Sequence, residues 1–365
     1  MDPHRRTVGY DSQLTLKKYL PGAALLNYRQ GSEHQGFIMP VVLLTDPIAP
    51  VARAELEKTA DVRLLGEAQV GTLEKEMLAA NVVIVRRSIP ADILRETKVL
   101  RALVRHGVGL DFIPLEEASA ANIAVTNTPN TNAQSVAEYA FGLLLGLQRR
   151  IAQNNQLIRT GKWHELRSEA PELHEIANKT LGIIGFGSIG AAIARIGHFG
   201  FGAKVLAARR NCLEGPNWVE FSSITDVASR ADILVIACPL TPSTQGMVDA
   251  RFIRSMRKNS ILVNVARGAI IDETALAVAL QTQQISGAAL DVFSHQPLLE
   301  DSPLRDAPNL VLSPHIAGVT HESMLRMSNV AVSDTLRILN GKRPENLVNA
   351  QAWPKIVEQW ARSPI

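Results

Sequence analysis

Thr180 to Arg210 reads TLGIIGFGSIGAAIARIGHFGFGAKVLAARR, and its order of apolar runs and glycines leaves this chain few folds. Leu181–Ile184 is a short apolar run of the kind that forms a buried strand. Gly185, Gly187 and Gly190 follow in G-x-G-x-x-G spacing. Ile189–Ile196 carries small and apolar residues at helical spacing, and Lys204–Ala208 reads as a second strand. A glycine turn that opens a helix between two strands is the signature of a dinucleotide site; the alternative is a plain structural turn. Gly185 permits the tight turn, Gly187 lets backbone approach a pyrophosphate, and Gly190 lets helix and strand pack closely. The helix start at Ser188 and Ile189 offers free N–H groups and a positive dipole end to phosphates.

The second strand ends on Ala208, Arg209, Arg210 and Asn211. A site for NAD usually carries Asp or Glu near this point to bind the adenosine ribose, whereas a guanidinium can hold a 2′-phosphate. The expected cofactor is therefore NADP(H), with NAD as the alternative if Arg209 and Arg210 are only a solvated strand end.

A length of 365 residues suits two domains. The net charge of +3 comes with no basic run or aromatic interleaving, so a nucleic-acid partner is not expected. No apolar stretch reaches the length of a membrane span, and no secretory signal stands at the start. Cys212 and Cys238 make neither a disulfide framework nor a zinc-ligand pattern, so no metal is expected and a reducing cytoplasm fits.

Residues 1–38 are polar and poorly periodic, and read as an extension: an arm, a tail or a misassigned start. From Met39 onward strands and helices alternate. Strands are expected at Val41–Leu44, Val62–Leu65, Val82–Val85, Ala102–Arg105 and Ile123–Thr126, with helices around Val51–Thr59, Leu73–Ala79, Ala91–Thr97 and Leu115–Ala121. After a turn-rich hinge (NTPNTNAQ), Ser135 to about Gln156 reads as one long helix. Its apolar stripe, Tyr139, Leu143, Leu144, Leu147 and Ile151, is assigned to an interdomain and dimer contact, the alternative being packing within one chain. Beyond the glycine unit, strands are expected at Trp218–Phe221, Ile233–Cys238, Ile261–Val265, Ala288–Val292 and Leu310–Leu312. Helices are expected around Ser223–Arg230, Ala250–Arg254, Glu273–Leu280 and Thr320–Leu339. The reading is an α/β chain of two doubly wound, Rossmann-like domains with parallel sheets, one inserted in the other. The substrate domain spans 39–132 and 322–351, the cofactor domain 133–321, and 352–365 forms a tail. Two crossing segments suit a hinge that closes on substrate.

Polar chemistry collects after strand ends, where such sheets bind ligands. Arg267, in NVARGAIID, can grip a carboxylate bidentately and polarise a carbonyl, or be a surface cation. His315, in SPHIAG, can move a proton near neutral pH, or be structural. Gln296, between them in sequence, cannot titrate. Gly107 and Gly109 expose backbone N–H groups able to hold a carboxylate.

The motifs RHGVGLD, NTPNTNAQSVAEYAFGLLL, GIIGFGSIG, PLTPST, NVARGAIID, GAALDVF and SPHIAG, in this order, resemble those of the D-isomer-specific 2-hydroxyacid dehydrogenases. These include phosphoglycerate dehydrogenases and glyoxylate/hydroxypyruvate reductases, and the likeness runs from about Val41 to Asn349. The resemblance implies a hydride transfer between the nicotinamide cofactor and a small 2-oxoacid or D-2-hydroxyacid, such as glyoxylate or hydroxypyruvate, in a homodimer. By it, His315 delivers the proton and Arg267 orients the 2-oxoacid. The backbone at Val108 and Gly109 holds the carboxylate, with Arg87 and Ser88 nearby and His106 and Gly107 in the same loop. Asp291 and Gly318 match positions that hold the nicotinamide carboxamide. Cys238 and Pro239 match the adenosine-pocket wall, and Thr244, Val265 and Ala266 are further cofactor contacts.

Two departures stand out. Arg209 replaces the Asp of NAD-linked members, and Gln296 replaces the Glu that usually hydrogen-bonds the catalytic histidine, so His315 is expected to be less basic than in Glu-bearing relatives. Gln at this position also occurs in formate dehydrogenases, whose cofactor acid is missing here. His106 and the Arg86–Arg87 pair could favour a second anionic group, so a 3-phosphoglycerate dehydrogenase is the enzymatic alternative. From another class, the alternative is a dinucleotide-sensing corepressor-like module.

Overall fold

Short runs of β-branched and aliphatic residues, spaced by helical segments, build two parallel sheets. The structure, a computed structural model, describes residues 39–210, 215–363 and 365. The N-terminal extension, Asn211 and Cys212 lie outside them. The chain divides into two compact units, one of residues up to Thr131 together with Met324–Ile365, the other Asn132–Ser323.

In the first unit β1 (Val41–Leu44), β2 (Asp61–Leu64), β3 (Val82–Val85), β4 (Ala102–Arg105) and β5 (Ala124–Thr126) form one sheet in the order β2-β1-β3-β4-β5, every pair parallel. β3 is buried along its whole length, as a sheet covered on both faces requires. Side chains alternate between the faces. Val42, Leu44, Val82 and Val104 pack with Ala331, Ile338, Ile356 and Trp360, whereas Leu43, Val83, Leu103 and Val125 pack with Met77, Ile93 and Ala118.

Two expectations are corrected here. The helix at Ala91–Thr97 is only a 3-10 turn, Asp92–Arg95. Its two buried residues, Ile93 and Leu94, are adjacent rather than four apart, so they support a tight turn and no amphipathic face. The C-terminal stretch is not a tail but a helix, Trp353–Arg362, with Ile356 and Trp360 buried one turn apart. Arg101 lies over the Trp360 ring at 5.4 Å and donates to Ser363 O at 2.6 Å, which fixes the helix end.

In the second unit β6 (Thr180–Ile184), β7 (Lys204–Ala208), β8 (Val219–Phe221), β9 (Ile233–Ile236), β10 (Ile261–Asn264), β11 (Gly287–Leu290) and β12 (Leu310–Leu312) form a parallel sheet ordered β12-β11-β10-β9-β6-β7-β8. The order reverses between β6 and β9, and ligands of open α/β sheets bind at such a switch point, beyond the carboxyl ends of the strands.

The long helix expected from Ser135 to Gln156 is two helices. Ala133–Gln148 ends where Arg149 leaves helical geometry and Arg150 turns left-handed (φ 48°); Ile151–Ile158 and Trp163–Glu169 follow. The apolar stripe of the first helix, with Val136, Ala137, Ala140, Phe141 and Leu144, packs on Leu181, Ile183 and Ile193 of the same unit. Of the expected stripe, Leu143 and Leu144 are buried in the core of the same unit, Tyr139 and Leu147 pack against it, and Ile151 is exposed. Among the described residues no helix is long and apolar enough to cross a membrane.

Candidate active site

The glycine turn after β6 has three different geometries. Gly185 sits at φ +99°, and a Cβ there would lie 2.5 Å from Cys238 N. A Cβ on Gly190 would lie 2.0 Å from Gly185 O, so only glycine lets the helix Ser188–Arg195 approach the turn. At Gly187 a Cβ would meet nothing within 4 Å: this position faces open space. Gly187 is also the helix N-cap and supplies no side-chain cap, so the first N–H groups, at Ser188 and Ile189, are left to an incoming anion. These residues fit a dinucleotide pyrophosphate.

Arg209 and Arg210 are exposed directly beyond β7. Burial pushes the Cys238 thiol up, and the positive charge of Arg210 pulls against it. Thr244 is buried and holds its own turn: its Oγ1 donates to Pro239 O (2.8 Å) and accepts from Thr241 N (2.8 Å). Val265 and Ala266 are buried as well.

Arg267 follows β10. Asn264, fully buried, clamps the backbone on both sides of it: its Oδ1 accepts from Ala266 N (3.0 Å) and its Nδ2 donates to Arg267 O (2.9 Å). Sequence reasoning missed Asn264, although it stands at the head of NVARG. Gly268 packs so tightly on the Phe293–Ser294 peptide that a Cβ would lie 1.9 Å from Phe293 C. The loop carrying Arg267 and the loop leading to Gln296 are thereby locked together.

His315 follows β12 in the left-handed region, at φ +58°, a costly conformation for a residue with a Cβ. The buried carboxylate of Asp291 holds it. Oδ1 accepts from Ser313 Oγ (2.7 Å) and Ile316 N (3.0 Å), and Oδ2 accepts from Ala317 N (2.9 Å). Because Ser313 donates to a carboxylate, it must accept from Tyr139 Oη, 2.5 Å away. Asp291, expected at the nicotinamide carboxamide, also holds the histidine loop. Gly318 lies against Asn132, where a Cβ would come within 2.7 Å of the amide nitrogen. The ring of His315 is aimed by Gln296: Nδ1 lies 2.8 Å from Gln296 Oε1, and Gln296 Nε2 donates to Phe293 O at 3.2 Å.

In the first unit, Arg87 is bound bidentately to Asp46 (2.7 and 3.0 Å), and Arg86 donates to Pro47 O (3.1 Å). Ser88 is exposed. His106 is only 2% exposed, and burial together with the nearby Arg86 charge pushes its pKa down to about 3. The ring is neutral at physiological pH. It cannot recognise an anion by charge, which corrects the expectation for this residue. Among the described residues no cluster of three or more His, Cys, Asp or Glu could hold a metal ion.

Residues 141–317 match the model of the D-isomer-specific 2-hydroxyacid dehydrogenase NAD-binding domain. A glyoxylate reductase of Aeropyrum pernix is 35% identical over 324 residues, 86% of this chain and 96% of the relative. A D-3-phosphoglycerate dehydrogenase of Methanocaldococcus jannaschii is 33% identical over 327 residues, 87% of this chain and 61% of that longer protein. Among solved structures, an NADPH-dependent glyoxylate/hydroxypyruvate reductase of Sinorhizobium meliloti, in complex with NADP and malonate, superposes with a TM-score of 0.75 at 30% identity, covering 85% of this chain and 97% of that one. Fold and site define an oxidoreductase with a Rossmann-type cofactor domain. The chain belongs to the D-isomer-specific 2-hydroxyacid dehydrogenase family and is an NAD(P)-dependent D-2-hydroxyacid dehydrogenase.

Proposed function

We propose that this enzyme reduces a small 2-oxoacid, glyoxylate or hydroxypyruvate first, with NADPH, in a reducing cytoplasm. The observation that carries the chemistry is the 2.8 Å contact of His315 Nδ1 with Gln296 Oε1. An amide oxygen only accepts, so Nδ1 carries a proton and Nε2 is the atom that exchanges one. In the reducing direction, the imidazolium gives its Nε2 proton to the carbonyl oxygen, Arg267 grips the 2-oxoacid and polarises that carbonyl, and the product is the 2-hydroxyacid. A bound nicotinamide supplies the hydride. Gly187, Ser188 and Ile189 would hold the pyrophosphate. Cys238, Pro239, Val265 and Ala266 would line the cofactor site, with Asp291 and Gly318 at the carboxamide. Arg209 and Arg210 would clamp the 2′-phosphate, a reading supported by their exposure at the end of β7.

A phosphorylated substrate is the weaker reading. It would need a cation for its second anionic group, but Arg87 is held by Asp46, Arg86 donates to Pro47 O and His106 is neutral. A homodimer is part of the proposal. Ile151–Ile158 and Trp163–Glu169 bury none of their residues, and Ile151, Ile158 and Trp163 are 55%, 39% and 58% exposed, an apolar surface that a second copy would cover. A shift of the sedimenting mass to monomer in Trp163→Glu is the expected result.

The deciding experiment is a fluorescence titration with NADPH and NADH, followed by initial rates on a panel of 2-oxoacids for wild type and for His315→Asn. Preference for NADPH with turnover of glyoxylate, lost in the variant, is expected. NADH preference with turnover of phosphoglycerate would favour the second reading, and binding of a cofactor with unchanged function after loss of His315 would favour the sensing module.

A further inference from the structure

The loop after β4 shows solvent one kind of hydrogen-bonding group only. It has four successive carbonyls, and each meets a donor from the protein. Arg105 Nη1 reaches His106 O at 3.2 Å, and Thr128 N reaches Gly107 O at 3.0 Å. Asn127 Nδ2 reaches Val108 O at 2.8 Å, and Arg105 Nε reaches Gly109 O at 3.0 Å. The amides divide differently. His106 N and Gly107 N donate to Val85 O and Arg105 O, each at 3.0 Å, whereas among the described residues the N–H groups of Val108 and Gly109 reach no protein acceptor. Both residues are half-buried.

This division has an identifiable cause. A peptide plane carries its C=O and N–H on opposite sides, so pinning a carbonyl inward turns the following N–H outward. Arg105 pins two carbonyls of the loop and, through Nη1, also Val85 O of the neighbouring strand end (2.8 Å). Its guanidinium carbon lies over the Phe112 ring, 4.7 Å from the centroid. Gly107 lies directly against it, at φ +153°, where a Cβ would come within 3.0 Å of Arg105 Cζ. Asn127 pins the third carbonyl from another strand end.

We infer that Asn127 and Arg105 are positioning residues for the carboxylate of the substrate: Asn127, by holding Val108 O, turns the Gly109 N–H outward beside the Val108 N–H, which Thr128 N turns out through Gly107 O, and Arg105 fixes the two ends of this pair of donors at His106 O and Gly109 O. This rests on the proposed 2-oxoacid reduction. Two successive backbone N–H groups that meet no protein acceptor among the described residues make an anion-binding concavity.

The test compares Asn127→Ala and Arg105→Lys with wild type on glyoxylate and on glycolaldehyde, an aldehyde of similar size without a carboxylate. NADPH affinity is followed by fluorescence, and oxalate binding to the NADPH complex by calorimetry. Asn127→Ala should raise KM for glyoxylate about tenfold, the loss of roughly one charge-assisted hydrogen bond, with kcat nearly unchanged. It should weaken oxalate in proportion and leave glycolaldehyde and NADPH alone. Arg105→Lys keeps the charge without the fork and should fall between. An equal loss on both carbonyl substrates, or unchanged oxalate affinity, overturns the inference. Failure of wild type to reduce glyoxylate while oxalate still binds, and weakens in the variants, would strike the substrate assignment and spare the cradle; no oxalate binding by wild type would overturn the cradle itself.

Discussion

His315 Nδ1 and Gln296 Oε1 stand 2.8 Å apart, and the amide that makes this contact is itself anchored, through Nε2, on Phe293 O. A neutral amide can orient an imidazole but cannot balance its charge. Gln296→Glu would place a carboxylate at hydrogen-bond distance from the ring, favour the imidazolium and raise the pKa of His315. Reduction needs the protonated ring, so its activity should persist to higher pH in the variant. The pH profile of kcat for glyoxylate reduction checks this; an unmoved alkaline limb would show that His315 does not set it.

Arg209→Asp should convert the end of β7 from a phosphate clamp to a ribose acceptor. The loss of a charge-assisted hydrogen bond predicts NADPH binding weaker by about 1.5–3 kcal/mol, with NADH gaining. Paired titrations with the two cofactors measure the difference directly. If NADPH affinity is untouched, the exposed Arg209 is only a solvated strand end.

The signals that were legible in the sequence are those that run along the chain. The glycine spacing at 185, 187 and 190, the fully apolar β3 and β9, and the strand–helix alternation all have periods short enough to see. What stayed hidden depends on pairs far apart in sequence. Tyr139 and Ser313 are separated by 174 residues, and nothing in either neighbourhood announces the contact. Asn264 reads as one polar residue after a strand, and its two-sided clamp on Arg267 is visible only once the turn is built. His106 shows the opposite failure. A histidine beside glycines invites an anion-binding reading, but burial removes its charge. The C-terminal helix was missed because its buried Ile356 and Trp360 make a stripe only two residues long.

The left-handed backbone at His315 is a local cost accepted for the placement of its ring. His315→Gly should therefore abolish reduction while stability holds or rises by up to about 1 kcal/mol, the relief of the left-handed strain less the greater entropy loss of glycine. Asp291→Asn should do the reverse. It leaves the ring in place but weakens the three bonds that hold the loop, and should cost about 1–3 kcal/mol of stability together with activity. Urea denaturation alongside initial rates separates the two; a destabilised His315→Gly would mean that the loop is not strained.

The hydrogen bonds of His106 determine its tautomer and, through it, a dependence of stability on pH. Ser328 Oγ donates to Met324 O (2.7 Å) and accepts from Ala49 N (2.9 Å), so toward His106 Nε2, 2.9 Å away, it can only accept again. Nε2 therefore carries the proton. Protonation would add a second one at Nδ1, which is buried and meets no acceptor among the described residues. Burial and the positive charge of Arg86 oppose it further and hold the pKa near 3. The unfolded chain binds that proton near pH 6.5. Between these two values the unfolded state holds more protons than the native one, so stability is present in full above about pH 6.5 and is lost as pH falls toward 3. The slope contributed by this one group approaches about 1.4 kcal/mol per pH unit. His106→Gln keeps an N–H for Ser328 and has no proton to gain. Its denaturation midpoint should fall less steeply than that of wild type between about pH 6.5 and 4.5, and parallel curves would show that the ring is charged, or reached by water, in the native state.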